Sequence, residues 1–202
     1  MLYLVRHGQT EYNVQLRIQG TCDSPLTEQG ISDAEKLAEH LKDIDFKAVY
    51  ASMLGRAIQT ANILKGQRNL QVISLEGLNE MCFGQWECRR KEDIPETEME
   101  NYDKFFHAPE KYQAPVGGQS YEEMFEMVAE AAARLLAEAA DKDILAVSHG
   151  MWIKVFYCVL RNQDASHIWD PPFIGNTALT IVDSSSEQPK FVLEGDMSHL
   201  EE

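Results

Sequence analysis

The sequence predicts an α/β fold, a three-layer sandwich with a mostly parallel central sheet and helices on both of its faces. Three apolar runs without polar alternation have the pattern of strands covered on both sides: Leu2 to Val5, KAVYAS at residues 47–52, and Ile144 to Val147. Segments with apolar residues at helical spacing separate these runs. Strands that alternate with helices in this way are typical of layered α/β folds.

The predicted helices are defined by apolar residues that repeat every three or four positions. One such pattern covers residues 31–41, and a second covers residues 54–64. Ser120 followed three positions later by Glu123 is a capping box, which predicts the start of a longer helix. A further helix is predicted to follow Gly150.

The final apolar segments predict two closing strands. These are ALTIVD at residues 178–183 and KFVLEG at residues 190–195, separated by the turn sequence SSSEQP. Because the connection is short, we expect the two strands to pair in antiparallel orientation.

Residues 89–117 differ in composition from the rest of the chain. Charged residues alternate there with aromatic residues, and no strand pattern is visible. We predict a helical insert, which either covers the active site or is an ordinary surface excursion. Since no repeat or linker interrupts the sequence, residues 1–202 are predicted to form a single domain with this insert.

The charge balance limits the kinds of partner that the protein has. The chain carries 18 Lys and Arg against 33 Asp and Glu, a formal net charge of -15, which repels nucleic acid and anionic membranes. Its four cysteines show no C-x-x-C spacing, and no apolar stretch approaches the roughly 20 residues of a membrane span. We therefore expect a cytoplasmic protein that binds neither nucleic acid nor membranes.

Two histidines each follow a predicted strand and precede a glycine. His7 comes after the first apolar run, and His149 comes after the run that ends at Val147 and Ser148. Taken alone, each would be an ordinary buried histidine. Because α/β sheets bind ligands at the carboxyl ends of their strands, we expect both histidines at one ligand site.

Five motifs occur in order between Leu4 and Gly150: LVRHGQT-x-x-N, G-x-x-D-S-P-LTEQG, AS-x-L-x-RA-x-QTA, L-x-E-x-x-FG-x-WE and VSHG. A sixth, GNTALTIVD, extends the series to Asp183. Together they resemble the histidine phosphatase superfamily, in its phosphoglycerate mutase-like branch. The resemblance implies a phosphoglycerate mutase-like fold and phosphoryl transfer through a phosphohistidine.

The resemblance also implies roles for individual residues. His7 is the implied nucleophile, and Glu80 is the implied general acid and base. The implied phosphate-binding residues are Arg6, Arg56, His149 and Asn13, and the implied substrate-binding residues are Gln19 and Gly20. The resemblance implies no metal ion and no other cofactor.

These side chains suit phosphoryl transfer on independent physical grounds. The transferred group spreads negative charge over its equatorial oxygens, and two guanidinium groups offer planar sets of donors to those oxygens without a metal ion. Nearby arginines disfavour the imidazolium form and so favour a neutral, nucleophilic His7. An alkoxide leaving group needs a proton, which Glu80 supplies if burial raises its pKa, so we expect a pH optimum below neutrality.

Other interpretations stay open at this stage. His7, His149 and Glu80 are also the residue types of a two-histidine, one-carboxylate metal site, although adjacent arginines would repel a cation. A phosphoglycerate mutase-type phosphotransfer is less favoured than phosphatase action on a small phosphate ester, because the mutases of the family carry a longer insert. A phosphate-binding interaction module without catalysis is the third interpretation, and it would not require the acid.

The sequence departs from the family pattern after Trp86 and Glu87. Cys88 stands where the family usually has glycine, and the basic residues Arg89 to Lys91 follow it. This triplet either contacts a second anionic group of the substrate or is solvated. Aromatic residues of the insert, which we expect to be exposed, form either a lid or a homodimer interface.

Overall fold

The computed structural model describes residues 1–201, and a six-stranded sheet forms its centre. The strands are β1 (Leu2–Arg6), β2 (Ala48–Ala51), β3 (Val72–Ser74), β4 (Ile144–Ser148), β5 (Leu179–Asp183) and β6 (Lys190–Asp196). Their order is β3-β2-β4-β1-β5-β6. The first four strands in this order are mutually parallel, whereas β5 pairs antiparallel with both β1 and β6. The predicted parallel sheet and its closing antiparallel pair are confirmed, and only Glu202 of the predicted domain lies outside the described residues.

Helices cover both faces of this sheet. They are α1 (Glu11–Val14), α2 (Glu28–His40), α3 (Gly55–Lys65), α4 (Glu96–His107), α5 (Tyr121–Glu138) and α6 (Gly150–Arg161). The four helices predicted from apolar spacing correspond to α2, α3, α5 and α6. Within residues 1–201, none of the helices combines the length and the apolarity that crossing a bilayer requires.

The alternation of side chains along β1 divides the core into two clusters. Leu2 and Leu4 pack in the cluster that contains the buried residues of α5 and α6. Tyr3 and Val5 pack in the other cluster, with the buried residues of α2 and α3. Because successive side chains of a strand point to opposite faces, β1 packs against the helices on both sides of the sheet.

Side-chain caps begin α5 and α2. The Oγ of Ser120 accepts a hydrogen bond from the Glu123 backbone N–H at 3.2 Å, and the Glu123 carboxylate accepts from the Ser120 N–H at 2.8 Å. This is the predicted capping box of α5, which is therefore confirmed. At α2, the Thr27 hydroxyl accepts from the Gly30 N–H at 3.0 Å.

The insert contains α4 and two single-turn 3₁₀ segments, Lys91–Asp93 and Pro109–Lys111. The prediction that its aromatic side chains are exposed is wrong. Phe105 is 5% exposed and stacks on Tyr121 of α5, and the other aromatic residues of the insert are half-buried against the same core. Since Tyr102, Phe105 and Phe106 lie three and four positions apart, they share one face of α4 and pack inward together.

The segment that follows β1 passes unusually close to the start of α2. A Cβ atom added to Gly30 would lie 2.1 Å from the carbonyl oxygen of Gln9, and one added to Gly8 would lie 2.7 Å from the carbonyl oxygen of Gly30. The Thr27 N–H donates to the same Gln9 oxygen at 2.9 Å. Glycine is therefore required on both sides of this contact, which fixes the backbone just after His7.

Replacing Gly30 with alanine tests this contact. We expect Gly30→Ala to lower the free energy of unfolding by about 1–3 kcal/mol, because the new methyl group overlaps the Gln9 backbone. Urea denaturation followed by circular dichroism measures the change. The control is Ser32→Ala, an exposed position of the same helix, where stability should stay within about 0.5 kcal/mol. A Gly30→Ala protein as stable as the wild type would contradict the proposed constraint.

Candidate active site

The pairing of β1 with β4 brings the two predicted histidines together. Arg6 lies opposite Ser148 in the parallel register, and the His7 N–H donates to the Ser148 carbonyl oxygen at 2.9 Å. Both histidines directly follow these paired residues. Their ring centroids are 5.1 Å apart, and both rings are buried. The sheet thus joins two motifs that are far apart in the sequence.

A cavity of about 500 Å³ opens at this edge of the sheet. Seven of the eight site residues predicted from the sequence line it: Arg6, His7, Asn13, Gln19, Gly20, Arg56 and Glu80. The eighth, His149, does not line the cavity. It lies beside His7 at the N-cap position of α6 and is fully buried.

The hydrogen bond of His7 determines which ring nitrogen is available for chemistry. Its Nδ1 lies 2.8 Å from the carbonyl oxygen of Gly8. Because a carbonyl only accepts hydrogen bonds, the neutral ring carries its proton on Nδ1 and keeps the lone pair on Nε2. Burial, followed by the charges of Arg56 and Arg6, lowers the pKa of His7 well below its usual value. The ring is therefore a neutral base with Nε2 as its free nitrogen.

In His149 the hydrogen-bonded ring nitrogen is Nε2, whereas in His7 it is Nδ1. Its Nε2 lies 2.6 Å from the Ser52 Oγ, which also accepts from the Leu54 N–H at 3.3 Å. The Ser52 proton is then free to donate to Nε2, so the proton of neutral His149 lies on Nδ1. Burial, and then the charges of Arg56, His7 and Arg6, lower the pKa of this ring well below its usual value.

Arg56 is held by the loop that follows Gln19. Its two terminal nitrogens donate to the carbonyl oxygens of Cys22 at 2.8 Å and Gly20 at 2.7 Å. The Asp23 carboxylate lies 3.4 Å from the first of these nitrogens. Only 1% of Arg56 is exposed, and burial lowers its pKa, an effect that the Glu80 and Asp23 charges oppose. The guanidinium is thus fixed in orientation before any ligand binds.

Glu87 holds that loop in place. Its carboxylate accepts hydrogen bonds from the Thr21 N–H at 2.8 Å and from the Phe83 N–H at 3.0 Å. Burial raises the pKa of Glu87, but these N–H groups outweigh it and keep the pKa below its usual value. Gly20 has a φ of +53°, and a Cβ there would lie 2.1 Å from a Glu87 oxygen, so this close approach requires glycine. Glu87 therefore supports Arg56 indirectly, through the loop.

Three buried nitrogens around His7 have no hydrogen-bond partner within residues 1–201. They are the Nε of Arg6, the Nε of Arg56 and the Nδ1 of His149. Arg6 is otherwise anchored by a bond from Nη1 to the Ile174 carbonyl oxygen at 2.7 Å. Buried donors normally have partners, because an unpaired polar group costs free energy. Three such donors on residues that surround His7 suit an oxyanion.

Glu80 connects the cavity to the first turn of α6. Its carboxylate oxygens accept from the N–H groups of Met81 at 3.1 Å, Trp152 at 3.2 Å and Met151 at 3.3 Å. Burial raises the pKa of Glu80 above its usual value, although the Arg56 charge and the N–H groups of Met81 and Met151 oppose the shift. The carboxyl group therefore holds its proton to a higher pH than an exposed glutamate does.

The predicted polar wall of the cavity is oriented by Thr10. The Thr10 Oγ1 lies 3.0 Å from the Oδ1 of Asn13 and 3.0 Å from the Oε1 of Gln19. The Thr10 N–H also donates to the Asn13 Oδ1 at 3.0 Å. The hydroxyl has one proton and donates to one of these oxygens at a time, but the Thr10 N–H holds the Asn13 oxygen, so the Asn13 NH₂ group remains available as a donor to a ligand.

The metal-site hypothesis placed His7, His149 and Glu80 around one cation. Within the part of the chain that the structure describes, no group of three or more histidine, cysteine or carboxylate side chains is arranged to hold a metal ion. Arg6 and Arg56 place two positive charges beside these residues. This local charge favours an anion over a cation.

The opposite wall of the cavity is apolar, and sequence analysis identified only part of it. Its largest members are Phe83, Trp86, Tyr102, Phe105, Phe106, Trp169 and Phe173. Arg17 and Lys154 also line the cavity and were missed. Lys154 had a detectable signal, because it is a single charge within the apolar segment MWIKVFY.

The structure keeps the family's turn at Cys88 despite the missing glycine. Cys88 adopts a left-handed φ of +64°, a conformation that favours glycine. The basic triplet from Arg89 to Lys91 is exposed and is not among the residues that line the cavity. Its last two members form ion pairs of 3.5 Å with Glu92 and Asp103. The solvated interpretation of the triplet is therefore favoured.

Known proteins similar to this chain share one family. A model of the histidine phosphatase superfamily (branch 1) matches residues 2–197. The adenosylcobalamin/alpha-ribazole phosphatase of Escherichia coli K12 is 32% identical over 168 residues, which cover 83% of this chain and 82% of that protein. A protein of Erwinia tasmaniensis named "Probable phosphoglycerate mutase GpmB" is 32% identical over 207 residues, covering 100% of this chain and 95% of that protein. The structure of Bacillus stearothermophilus YhfR matches with a TM-score of 0.94 at 34% identity, over 98% of each chain.

These similarities agree with the motifs and with the architecture of the sheet. The family model includes every predicted site residue from Arg6 to His149. The phosphoglycerate mutase-like fold expected from the sequence is confirmed by the structural match. Because the family model spans nearly the whole of its length, the chain belongs to branch 1 of the histidine phosphatase superfamily.

Proposed function

We propose that the protein is a metal-independent phosphomonoesterase that acts on a small phosphorylated metabolite through a phosphohistidine on His7. The observation that carries this proposal is the neutral His7 ring beside three unpartnered, buried N–H donors. In this proposal Arg6, Arg56 and His149 bind the phosphoryl oxygens, and Asn13 adds an amide donor. These donors are fixed in advance, so they stabilise the charge of the transferring group without reorganisation.

The reaction proceeds in two steps. The Nε2 of His7 attacks phosphorus, the P–N bond forms, and the ester P–O bond breaks as Glu80 gives its proton to the leaving oxygen. A water molecule then attacks the phosphohistidine, its proton passes to the Glu80 carboxylate, and the P–N bond breaks. Inorganic phosphate leaves, and both side chains return to their starting protonation states.

The opposite pKa shifts of the two catalytic groups define the working pH range. His7 is neutral above its lowered pKa, and Glu80 is protonated below its raised pKa. Both groups are in the required form only between these two values. Because the upper limit is set by a carboxyl group, activity on alkyl phosphates should decline as the pH rises through the pKa of Glu80.

The composition of the cavity favours hydrolysis over a mutase-type transfer. A mutase must retain the released molecule until it is phosphorylated again, and a phosphoglycerate is small and highly charged. Half of this cavity is aromatic or aliphatic, which suits a leaving group with an apolar body and offers few contacts to a small molecule that is polar throughout. The similarity to a named alpha-ribazole phosphatase supports the same choice, whereas the similarity to a named mutase makes phosphotransfer the second candidate.

We extend the proposal to the insert and to the setting of the reaction. The face of α4 that carries Tyr102, Phe105 and Phe106 contributes to the cavity wall, which supports a covering role for residues 89–117. Because these rings are buried or half-buried against the core, they favour the covering role over a homodimer interface. The four cysteines are free, which supports action in the reducing cytoplasm.

Removal of the nucleophile is the first test. We expect His7→Ala to lower kcat for 4-nitrophenyl phosphate by at least about a thousandfold, because no other side chain replaces Nε2. Rapid quench into alkali with mass spectrometry should detect a phosphorylated wild-type protein and no phosphorylated variant. The exposed His40→Ala is the matched control and should behave as the wild type. A His7→Ala protein with undiminished turnover would refute the mechanism.

The role of Glu80 is tested through the leaving group. Glu80→Gln should slow phosphoenzyme formation from glycerol phosphate by roughly 10²–10⁴-fold, because the alkoxide needs a proton. The same variant should slow formation from 4-nitrophenyl phosphate much less, since nitrophenolate leaves unprotonated. Single-turnover kinetics across a pH series measure both rates, and the decline at alkaline pH with glycerol phosphate should vanish in the variant. Exposed Glu76→Gln is the control, and equal losses with both esters would contradict the assignment.

Metal independence and reaction type are tested together. After exhaustive treatment with EDTA, we expect unchanged turnover of simple phosphate esters, because the arginines neutralise the phosphoryl charge. Phosphorus NMR of a reaction with 3-phosphoglycerate should show inorganic phosphate as the only product of any turnover. Activity that is lost on chelation and restored by a divalent cation, or an isomerised phosphoglycerate, would contradict this prediction.

A further inference from the structure

Lys154 is a buried cation in the wall of the cavity. It lies on α6, and only 7% of it is exposed. Its neighbours along the helix, from Ile153 to Phe156, are buried and apolar. Trp169 and Phe173 also line the cavity, and they flank the residues whose backbone Lys154 contacts. The Lys154 ammonium group therefore lies among buried apolar side chains.

The hydrogen bonds of Lys154 leave its charge without a counter-ion. Its Nζ donates to the carbonyl oxygens of Asp170 and, at 2.7 Å, of Pro172. Within residues 1–201, no carboxylate lies within ion-pair distance of Nζ. The Asp170 carboxylate instead accepts from His167 Nδ1 at 2.9 Å. Because an ammonium group has three N–H donors, one donor remains beyond these two carbonyl bonds.

Packing alone does not account for a lysine at this position. Burial lowers its pKa, so the charged form is disfavoured here relative to water. A methionine would fill the same space without that penalty, although the carbonyl oxygens of Asp170 and Pro172 would lose this donor. An anion bound in the cavity would supply the missing counter-charge, and a charge-assisted hydrogen bond would form in a site of low dielectric constant.

The position of Lys154 also sets its distance from the phosphoryl site. His149 is the N-cap residue of α6, and Lys154 follows five residues later. At a rise of 1.5 Å per residue, this is about 7.5 Å along the helix axis. The aromatic wall that contains Phe106 and Trp169 lines the same cavity. Such a wall suits a planar, apolar substrate body that lies between the phosphate and an anionic group.

We propose that Lys154 is a specificity-determining residue that binds a carboxylate on the leaving group of the substrate. The preferred substrates are then phosphate esters whose leaving group has a planar, apolar body and a carboxylate at its far end. This inference rests on the proposed phosphatase function, and it adds the chemical class of the leaving group.

A matched pair of substrates tests the inference. The ratio of kcat/KM for 4-carboxyphenyl phosphate to kcat/KM for phenyl phosphate is measured for the wild type and for Lys154→Met, and 3-carboxyphenyl phosphate is included as a second geometry. We expect the variant to lower this ratio by about tenfold to a hundredfold for at least one isomer, the effect of a lost charge-assisted hydrogen bond. Intrinsic differences in leaving-group reactivity cancel in the comparison between proteins.

A second variant controls for charge, and an inhibition experiment on the wild type covers a failure of Lys154→Met to fold. Exposed Lys47→Met lies at the opposite end of β2 and changes the net charge equally, so it should keep the wild-type ratio. If Lys154→Met does not fold, inhibition of the wild type decides: 4-carboxyphenylphosphonate should bind at least about tenfold more tightly than phenylphosphonate.

The possible outcomes separate the two proposals. If Lys154→Met leaves the ratio of the two kcat/KM values unchanged, the role of Lys154 is overturned while the phosphatase function stands. This includes a variant that loses activity equally with both esters. Equal binding of the two phosphonates would overturn it in the same way. Absence of hydrolysis of every ester by the wild type would instead overturn the proposed function.

Discussion

The parallel pairing of β1 with β4 is the constraint on which the site depends. The register of this pairing, which the hydrogen bond from His7 to Ser148 continues, places His149 beside His7. Because both strands are buried on both faces, a slip of one residue would expose the core and separate the two rings. The close contact between Gly30 and the chain after His7 then fixes the backbone next to this ring.

Around that pair, a strongly acidic protein builds a local positive charge. The net charge is -15, yet backbone carbonyls orient two guanidinium groups near His7, and of the two only Arg56 forms an ion pair, with Asp23 at 3.4 Å. The same charges act in opposite directions on the two proposed catalytic groups. They help burial to keep His7 neutral, and they only partly cancel the effect of burial on Glu80. A single environment thus prepares both a base and an acid.

The two halves of the cavity have separate tasks in our proposals. The half built from the strand ends binds the phosphoryl group, and its residues belong to the motifs of the superfamily. The other half comes from the insert and from the segment around Trp169, and it contacts the leaving group. Since Lys154 belongs to α6, whose N-cap residue is His149, one helix links the proposed reaction chemistry to substrate selection.

The sequence by itself determined the layered fold, the chain order of the main strands and most of the phosphoryl site, because periodicity and local motifs are encoded within short segments. The three-residue strand β3 carries too little pattern to detect. The inward packing of Phe105, the position of His149 behind His7 and the lining role of Lys154 were decided only by tertiary structure. Each depends on which surface a distant segment covers, and no local spacing of residues contains that information.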